Sequence, residues 1–494
     1  MRHSVAIATK ANQDLVAHLD RADGQEDLCF ALYHESAGHE RSTSLISEVV
    51  LPGVGERHVH GNVAFTSEYF LRSLDRAEEI GAGLALLHSH PGGRGWQDMS
   101  PDDVAAELGH AAQALVLTGR PFLGLTLATG DESWSARVWP KTADGYERHD
   151  CATVRVVGER LAISHHPRLS PAPVFDDRIK RTVSVWGPDV QADLARLRVG
   201  VVGLGSVGSM VAEALARTGF GHLVLMDFDS IEQHNLDRVL HATARDVASA
   251  RSKVEVVAKA LRRSATNPGA EISTADLSVT EPDGWLMALD CDVIFSCVDR
   301  PWPRHLLNLA AYAHLIPVVD GGIRAESRHG RWIGADWKAH IAAPTRRCLQ
   351  CLRQYDPAHV TLEREGLLDD PSYISGLPAN HPLRARENVF AFSMNAASLE
   401  VLQMISMVAA PQGIADFGGQ SYHAVTGDMD HDMQGCHDNC PYRQELVGVG
   451  GTAPVLTGTH ALADSQRGER ATRAREWRVR LRRLRQDVAE RASG

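Results

Sequence analysis

The chain has 494 residues, 8 of them cysteine, and a formal net charge of −11. That length holds two or three domains with proper cores, and the acidic balance excludes a general nucleic-acid binder. No run approaches the ~18 uninterrupted apolar residues of a membrane span. The first residues have no long apolar core, so secretion is not expected, and closely paired cysteines suit metal binding in a reducing cytoplasm.

Residues 1–150 read as a first, mixed α/β domain. Residues 5–19 carry a helical pattern, 28–33 and 43–51 read as strands, and 69–80 read as a helix. Residues 84–87 read as a strand that runs straight into His88-Ser-His90-Pro91. Histidines at i and i+2 on a strand point to one side, so both can hold one metal ion. Ser100-Pro-Asp-Asp103 then opens a helix, with Ser100 as N-cap, Pro101 at the first position and Asp103 reaching back. A helix start facing the histidines brings Asp103 in as a third ligand and leaves a fourth position for water. Gly92, Gly93 and Gly95 let the intervening loop fold over, and Trp96 in it is a substrate wall or a loop anchor.

This pair of motifs resembles the JAB/MPN (JAMM) zinc metallopeptidases, though the loop from His90 to Ser100 is about two residues longer than expected of that family. The resemblance implies a catalytic zinc on His88, His90 and Asp103, with Ser100 donating to an oxyanion. It also implies an upstream glutamate as proton acceptor. Glu26 is the choice for that role, with Asp27 and Glu35 as alternatives. Such enzymes cleave the bond after the C-terminal Gly of ubiquitin-like proteins.

Residues 151–176 are rich in Pro and His and read as a connector with a short strand at 154–163. His165 and His166 in it read as exposed. An apolar strand at 199–202 then leads into G-x-G-x-x-G at Gly203, Gly205 and Gly208, a helical pattern, and a second apolar run ending at Asp227. The glycines let backbone approach a phosphate at the helix start, and Asp227 stands where a ribose hydroxyl is held. Strands alternate with helices through Asp320, which predicts a Rossmann-like, doubly wound parallel sheet. Asp229, Asn235, Arg238, Lys253 and Asp299 follow. A dinucleotide reductase does not need that gathering, whereas an ATP-cleaving adenylyltransferase does. Arg and Lys neutralise a triphosphate, an acid holds magnesium and Asn fixes a phosphate oxygen. The rival classes are an NAD(P)-dependent oxidoreductase with an accessory metal domain, and a binding scaffold with one dead head.

From about residue 176 to 442 this order resembles the ThiF/MoeB and ubiquitin-activating family. The resemblance implies Asp227 as ribose ligand, Arg238 and Lys253 as the phosphate pair, and Asp299 as the acid of the magnesium site. Arg178 and Arg181 resemble an R-x-x-R whose second arginine crosses a homodimer into the partner's ATP site. Val239 stands where the family often has Gln. Cys348 and Cys351, with Cys436 and Cys440, read as a closed four-thiolate structural zinc, with His437 as spacer. No cysteine lies from 352 to 435, where ubiquitin-type activators usually keep an acyl-accepting thiol. Cys29, Cys151, Cys291 and Cys297 read as small apolar residues. The chain is therefore expected to stop at an acyl-adenylate, which a separate Cys-bearing conjugating protein, a sulfur donor or an amine would attack.

Within the ThiF-type domain, 177–443, residues 356–383 read as a crossover loop and 389–408 as a long apolar helix. Residues 444–494 read as a flexible basic tail with Trp477, Leu481, Leu484 and Val488 on one face of an amphipathic helix. The tail has three candidate docking surfaces, the protein's own acidic surface, a partner or nucleic acid; docking on protein is the favoured reading, with disorder as its rival. The expectation is a two-headed cytoplasmic enzyme of a bacterial ubiquitin-like pathway. One head trims or removes a Gly-ended ubiquitin-like protein, and the other adenylates its carboxylate with ATP and magnesium. A sulfur-carrier protein, or a peptide, is the variant substrate.

Overall fold

The computed structural model describes residues 1–60, 62–369, 371–376, 388–473 and 475–476. Val5, Ala6 and Ile7 are fully buried because they lie in a strand, β1 (Arg2–Ala8), and only α1 (Thr9–Leu19) keeps the helical pattern expected from residue 5. The correction has a simple cause: a strand buried on both faces shows no alternation and so resembles a buried helix in sequence. There follow β2 (Leu28–Ala37), β3 (Arg41–Val50), a hairpin of β4 (Arg57–His60) and β5 (Asn62–Phe65), α2 (Ser67–Glu79) and β6 (Gly83–His90). Next come α3 (Pro101–Thr118), β7 (Phe122–Ala128), β8 (Ser133–Trp139), and the paired β9 (Lys141–Thr142) and β10 (Gly145–Tyr146). The sheet closes with β11 (His149–Asp150), β12 (Thr153–Val157) and β13 (Leu161–His165). Its order is β11-β8-β7-β6-β2-β3-β1-β12-β13. One face buries Ile7, Leu15, Cys29 and Leu87 under α1, and the other buries Phe30, Tyr69, Leu84 and Ala111 under α2 and α3.

The segment expected as connector is partly sheet. β12 pairs in parallel with β1, from Val5 opposite Val154 to Ala8 opposite Val157, and β13 pairs with β12. His165 and His166 are accordingly not exposed: His166 is buried, and His165 Nδ1 lies 3.1 Å from Ser170 Oγ.

The second unit begins with α4 (Lys180–Arg196), which breaks at Gly187 (φ 86°) before Pro188. It continues through β14 (Arg198–Val202), α5 (Ser206–Thr218), β15 (His222–Met226), α6 (Ala244–Ala248), α7 (Lys253–Ser264), β16 (Glu271–Ala275) and α8 (Pro282–Leu289). Then come β17 (Val293–Ser296), α9 (Pro301–Ala313), β18 (Val318–Arg328) and β19 (Arg331–Ala342). The last elements are α10 (Pro357–Arg364), α11 (Pro371–Gly376), α12 (Phe390–Ala409), β20 (Gly419–His423), β21 (Asp428–Asp432) and α13 (Pro441–Gln444). The sheet order is β16-β15-β14-β17-β18-β19-β20-β21. Its first five strands are parallel, and the remaining three add on in antiparallel fashion. Val199, Val201, Leu225 and Phe295 face α5, α7 and α12, while Val224, Met226 and Ile294 face α8 and α9. The sheet is therefore covered on both faces, as its continuous apolar strands require.

The two sheets share a joint. Ala6, Ala8, Leu45 and Val157 pack in one cluster with Leu194, Leu197 and Met404. Asp292, ahead of β17, is paired with Arg41 and lies 3.3 Å from Arg155, while its other oxygen accepts from Arg198 N at 2.9 Å. Asp290 accepts from Arg41 N at 3.0 Å, and His314 Nδ1 lies 2.8 Å from Ser36 Oγ. Among the described residues no helix is long and apolar enough to cross a membrane. Part of the expected crossover loop, residues 370 and 377–383, lies outside the described residues, as do Trp477, Leu481, Leu484 and Val488.

Candidate functional site

β6 and α3 build the first cluster. His88 and His90 end β6, and α3 starts at a capping box in which Asp103 N bonds Ser100 Oγ at 3.1 Å and Ser100 N bonds Asp103 Oδ2 at 2.8 Å. That leaves Asp103 Oδ1 3.7 Å from His88 Nε2, while Oδ2 lies 3.9 Å from His90 Nε2. Ligand atoms of all three residues lie within 4.8 Å of one another, spacing that one metal ion can bridge. Burial pushes the His88 ring down to about 3, which favours the neutral form a metal needs. Burial raises Glu26, and the charges of His90 and Asp103 reach it. Asp27 is instead held in an ion cluster with Arg57 and Arg21, and Glu35 accepts from Ser42 at the far end of β2.

A network below the histidines carried no sequence signal. Thr126 Oγ1 lies 3.4 Å from His88 Nε2 and accepts from Arg137 at 2.6 Å, and Arg137 is paired with Glu107. Trp139 Nε1 also donates to Glu107, at 2.6 Å. Arg137 and Glu107 sit within 2 % of full burial, and they lie far apart in sequence, so no local pattern relates them.

The second site lies at the C-terminal ends of the parallel strands, where open α/β sheets bind ligands. Gly203 has φ +89°, and a side chain on Gly208 would collide with the Gly203 carbonyl. Asp227 Oδ2 accepts from Leu204 N at 2.6 Å and Oδ1 from Asp229 N at 2.7 Å, so the acid ties the glycine turn to the next loop. Each oxygen keeps a lone pair for a ribose hydroxyl. Burial, with Asp229 beside it, pushes Asp227 up to about 6 against the pull of Lys253. Lys253 Nζ lies 2.7 Å from Asp229 and 3.9 Å from Asp227, and it feels Asp299 as well.

Asn235 Oδ1 accepts from Glu232 N at 2.9 Å, which fixes its side chain and leaves the amide NH2 as its donor group. The same turn presents Arg238, whose only ion pair among the described residues is a 3.4 Å contact with Asp237. Asp299 is exposed just past β17, and Val239 is buried with Ile231 and Val256. Arg178 is tied to Asp176 at 2.7 Å, while Arg181 is exposed in the first turn of α4. Asn388, missed in the sequence, donates to Ser206 Oγ at 2.7 Å at the start of α5.

Cys348, Cys351, Cys436 and Cys440 are buried with their sulfurs within 4.8 Å of one another. Backbone amides point at two of them, Cys348 N to Cys436 Sγ at 3.1 Å and Cys351 N to Cys348 Sγ at 3.3 Å. Four converging sulfurs with N–H donors fit a tetrahedral structural zinc. Cys29, Cys151 and Cys291 are buried in the apolar cores. Burial and Glu400, 3.8 Å away, push the Cys297 thiol well up, the opposite of an activated nucleophile.

Together the fold and the glycine turn define a nucleotide-binding α/β domain. Residues 178–413 match the ThiF family, and the chain carries a ThiF-family domain there. It is 30% identical over 218 residues to the ubiquitin-like modifier-activating enzyme 5 of Drosophila willistoni, covering 40% of this chain and 51% of that protein. It is 33% identical over 142 residues to the molybdopterin-synthase adenylyltransferase of Escherichia coli, covering 28% of this chain and 55% of that protein. The chain thus spans about half the length of these two curated relatives. A solved structure of E. coli MccB with ATP aligns over 54% of this chain and 74% of its own, with 18% identity and a TM-score of 0.40.

Proposed function

We propose that the second head is an adenylyltransferase acting on the C-terminal Gly carboxylate of a ubiquitin-like or sulfur-carrier protein. The observation that carries this reading is the Asp227–Lys253–Asp229 cluster joined to the glycine turn. In it a ribose-binding acid, a buried cation and a second acid converge past one strand end. ATP lies along the glycine turn with its ribose on Asp227. Arg238 and Lys253 neutralise the phosphates, and Asp299 holds magnesium. The carrier's carboxylate oxygen attacks the α-phosphorus, the α–β phosphoanhydride bond breaks, and pyrophosphate leaves with its charge held by the two cations. Arg181 of a second copy would add to that clamp in a homodimer. With no thiolate at hand, the acyl-adenylate passes to a separate Cys-bearing protein, a sulfur donor or an amine.

The first head, in this proposal, is a zinc-dependent peptidase of the JAB/MPN kind that trims or removes the same carrier. His88, His90 and Asp103 fit a zinc with one position left open. Zinc bound there supplies Lewis acidity, Glu26 takes a proton, and Ser100 Oγ donates to the oxygen of the scissile carbonyl.

The test is ATP–pyrophosphate exchange with a Gly-ended carrier, alongside cleavage of a tail-extended form. Asp299→Asn should abolish exchange and leave cleavage, and His88→Ala should do the reverse. Reduction of a nicotinamide nucleotide without exchange sinks the adenylation reading, and loss of exchange in His88→Ala sinks the two-headed one.

A further inference from the structure

The described part of the C-terminal tail is docked against the nucleotide loop. Arg470 donates to Phe228 O at 2.8 Å, to Ser230 Oγ at 2.9 Å and to Asp276 Oδ1 at 2.5 Å. Ser230 Oγ in turn donates to Gln466 at 3.1 Å. Arg467 reaches Asp276 O at 3.1 Å and Glu281 at 2.6 Å. Further back, the His460 ring stands 4.7 Å from Phe228 and stacks 6.1 Å from Trp302, while Trp302 Nε1 donates to Leu456 O at 2.7 Å.

These contacts fall on one side of the site. Phe228 to Ser230 follow β15, directly after Asp227, and Asp276 follows β16, the sheet's edge strand. A nucleotide with phosphates at the turn after β14 and ribose at the end of β15 carries its base onward, toward the loop after β16. Arg470 spans the two loops that flank this end. Asp227 holds Asp229 N from within, and Arg470 holds the neighbouring carbonyl from without.

Resting on the nucleotide reading above, we propose that residues 456–470 form the outer wall of the base-binding end, with Arg470 as the positioning residue that fixes both loops for the adenine and ribose. The wall acts on the nucleoside part of the ligand and leaves the phosphate end alone.

The experiment is titration of the full chain with a fluorescent ATP analogue, competed by ATP, AMP and inorganic tripolyphosphate. Arg470→Ala should weaken ATP and AMP about tenfold, as loss of hydrogen bonds from a charged group does, and leave tripolyphosphate within about twofold. Arg470→Lys, which keeps the charge but loses the fork, should fall between. Equal weakening of tripolyphosphate means a general structural role and overturns the proposal, as does unchanged ATP binding. A wild-type chain that binds no ATP defeats the nucleotide reading itself, and that result is seen before any variant is made.

Discussion

Gly208 packs so closely under Gly203 that a methyl group at position 208 would strike the Gly203 carbonyl oxygen. The contact joins the first turn of α5 to the loop that leaves β14. Gly208→Ala must push the two apart, at about 1–3 kcal/mol of overpacking. The expected outcome is a folded protein of lower Tm whose ATP affinity drops more than its stability does, because the displaced backbone is the proposed phosphate cradle. A methyl group added at Gly205 would meet nothing within 4 Å, so that position should tolerate alanine with little loss of stability.

Zinc analysis tests the two candidate metal centres separately. The purified chain should carry about two zinc ions. Cys348→Ser should lose one and lower Tm by roughly 5–10 °C, since four buried sulfurs staple distant segments. His88→Ala should lose the other with a smaller fall in Tm, because His88 is buried but Asp103 and His90 are part-exposed. A Tm loss in His88→Ala equal to that of Cys348→Ser contradicts the assignment of one structural and one functional centre.

The Arg137–Glu107 pair supports the first of these centres from below. Removing either partner leaves a buried, uncompensated charge, at about 3–5 kcal/mol. Glu107→Gln and Arg137→Met should each destabilise the first domain in chemical denaturation. They should also change zinc affinity at His88, because the Arg137 charge acts on that ring. A stability loss without an affinity change would show that the network carries only the fold.

The joint between the sheets should be acid-sensitive. Burial holds the His314 ring down to about 4, against about 6.5 when unfolded. The unfolded chain therefore takes up a proton first as pH falls. Stability is full above about pH 6.5 and declines toward pH 4, by about 3 kcal/mol at the limit of this one group. Denaturation midpoints for His314→Gln should decline less over that window than those of the wild type.

Much of the second site was legible because its residues are consecutive along one strand–turn–helix–strand unit: Gly203, Gly208 and Asp227 are fixed by local geometry. The histidine–aspartate cluster was legible for the same reason, being a strand end and a helix cap. What escaped were relations between distant parts of the chain. Arg137 meets Glu107 across a strand and a helix, Asn388 meets Ser206 across most of the second unit, and Arg470 meets Phe228 from the far end of the chain. β1 was misread because burial on both faces erased its period, and the ion cluster that occupies Asp27, the alternative to Glu26, joins residues far apart in sequence.

The return of β12 to the flank of β1 decides where the chain can be divided. A fragment ending at Asp150 would strip the hydrogen-bonding edge from Val5 to Ala8 and leave a row of apolar backbone open to a second molecule. A separately expressed first unit should therefore run past His165; stopped earlier, it should form aggregates.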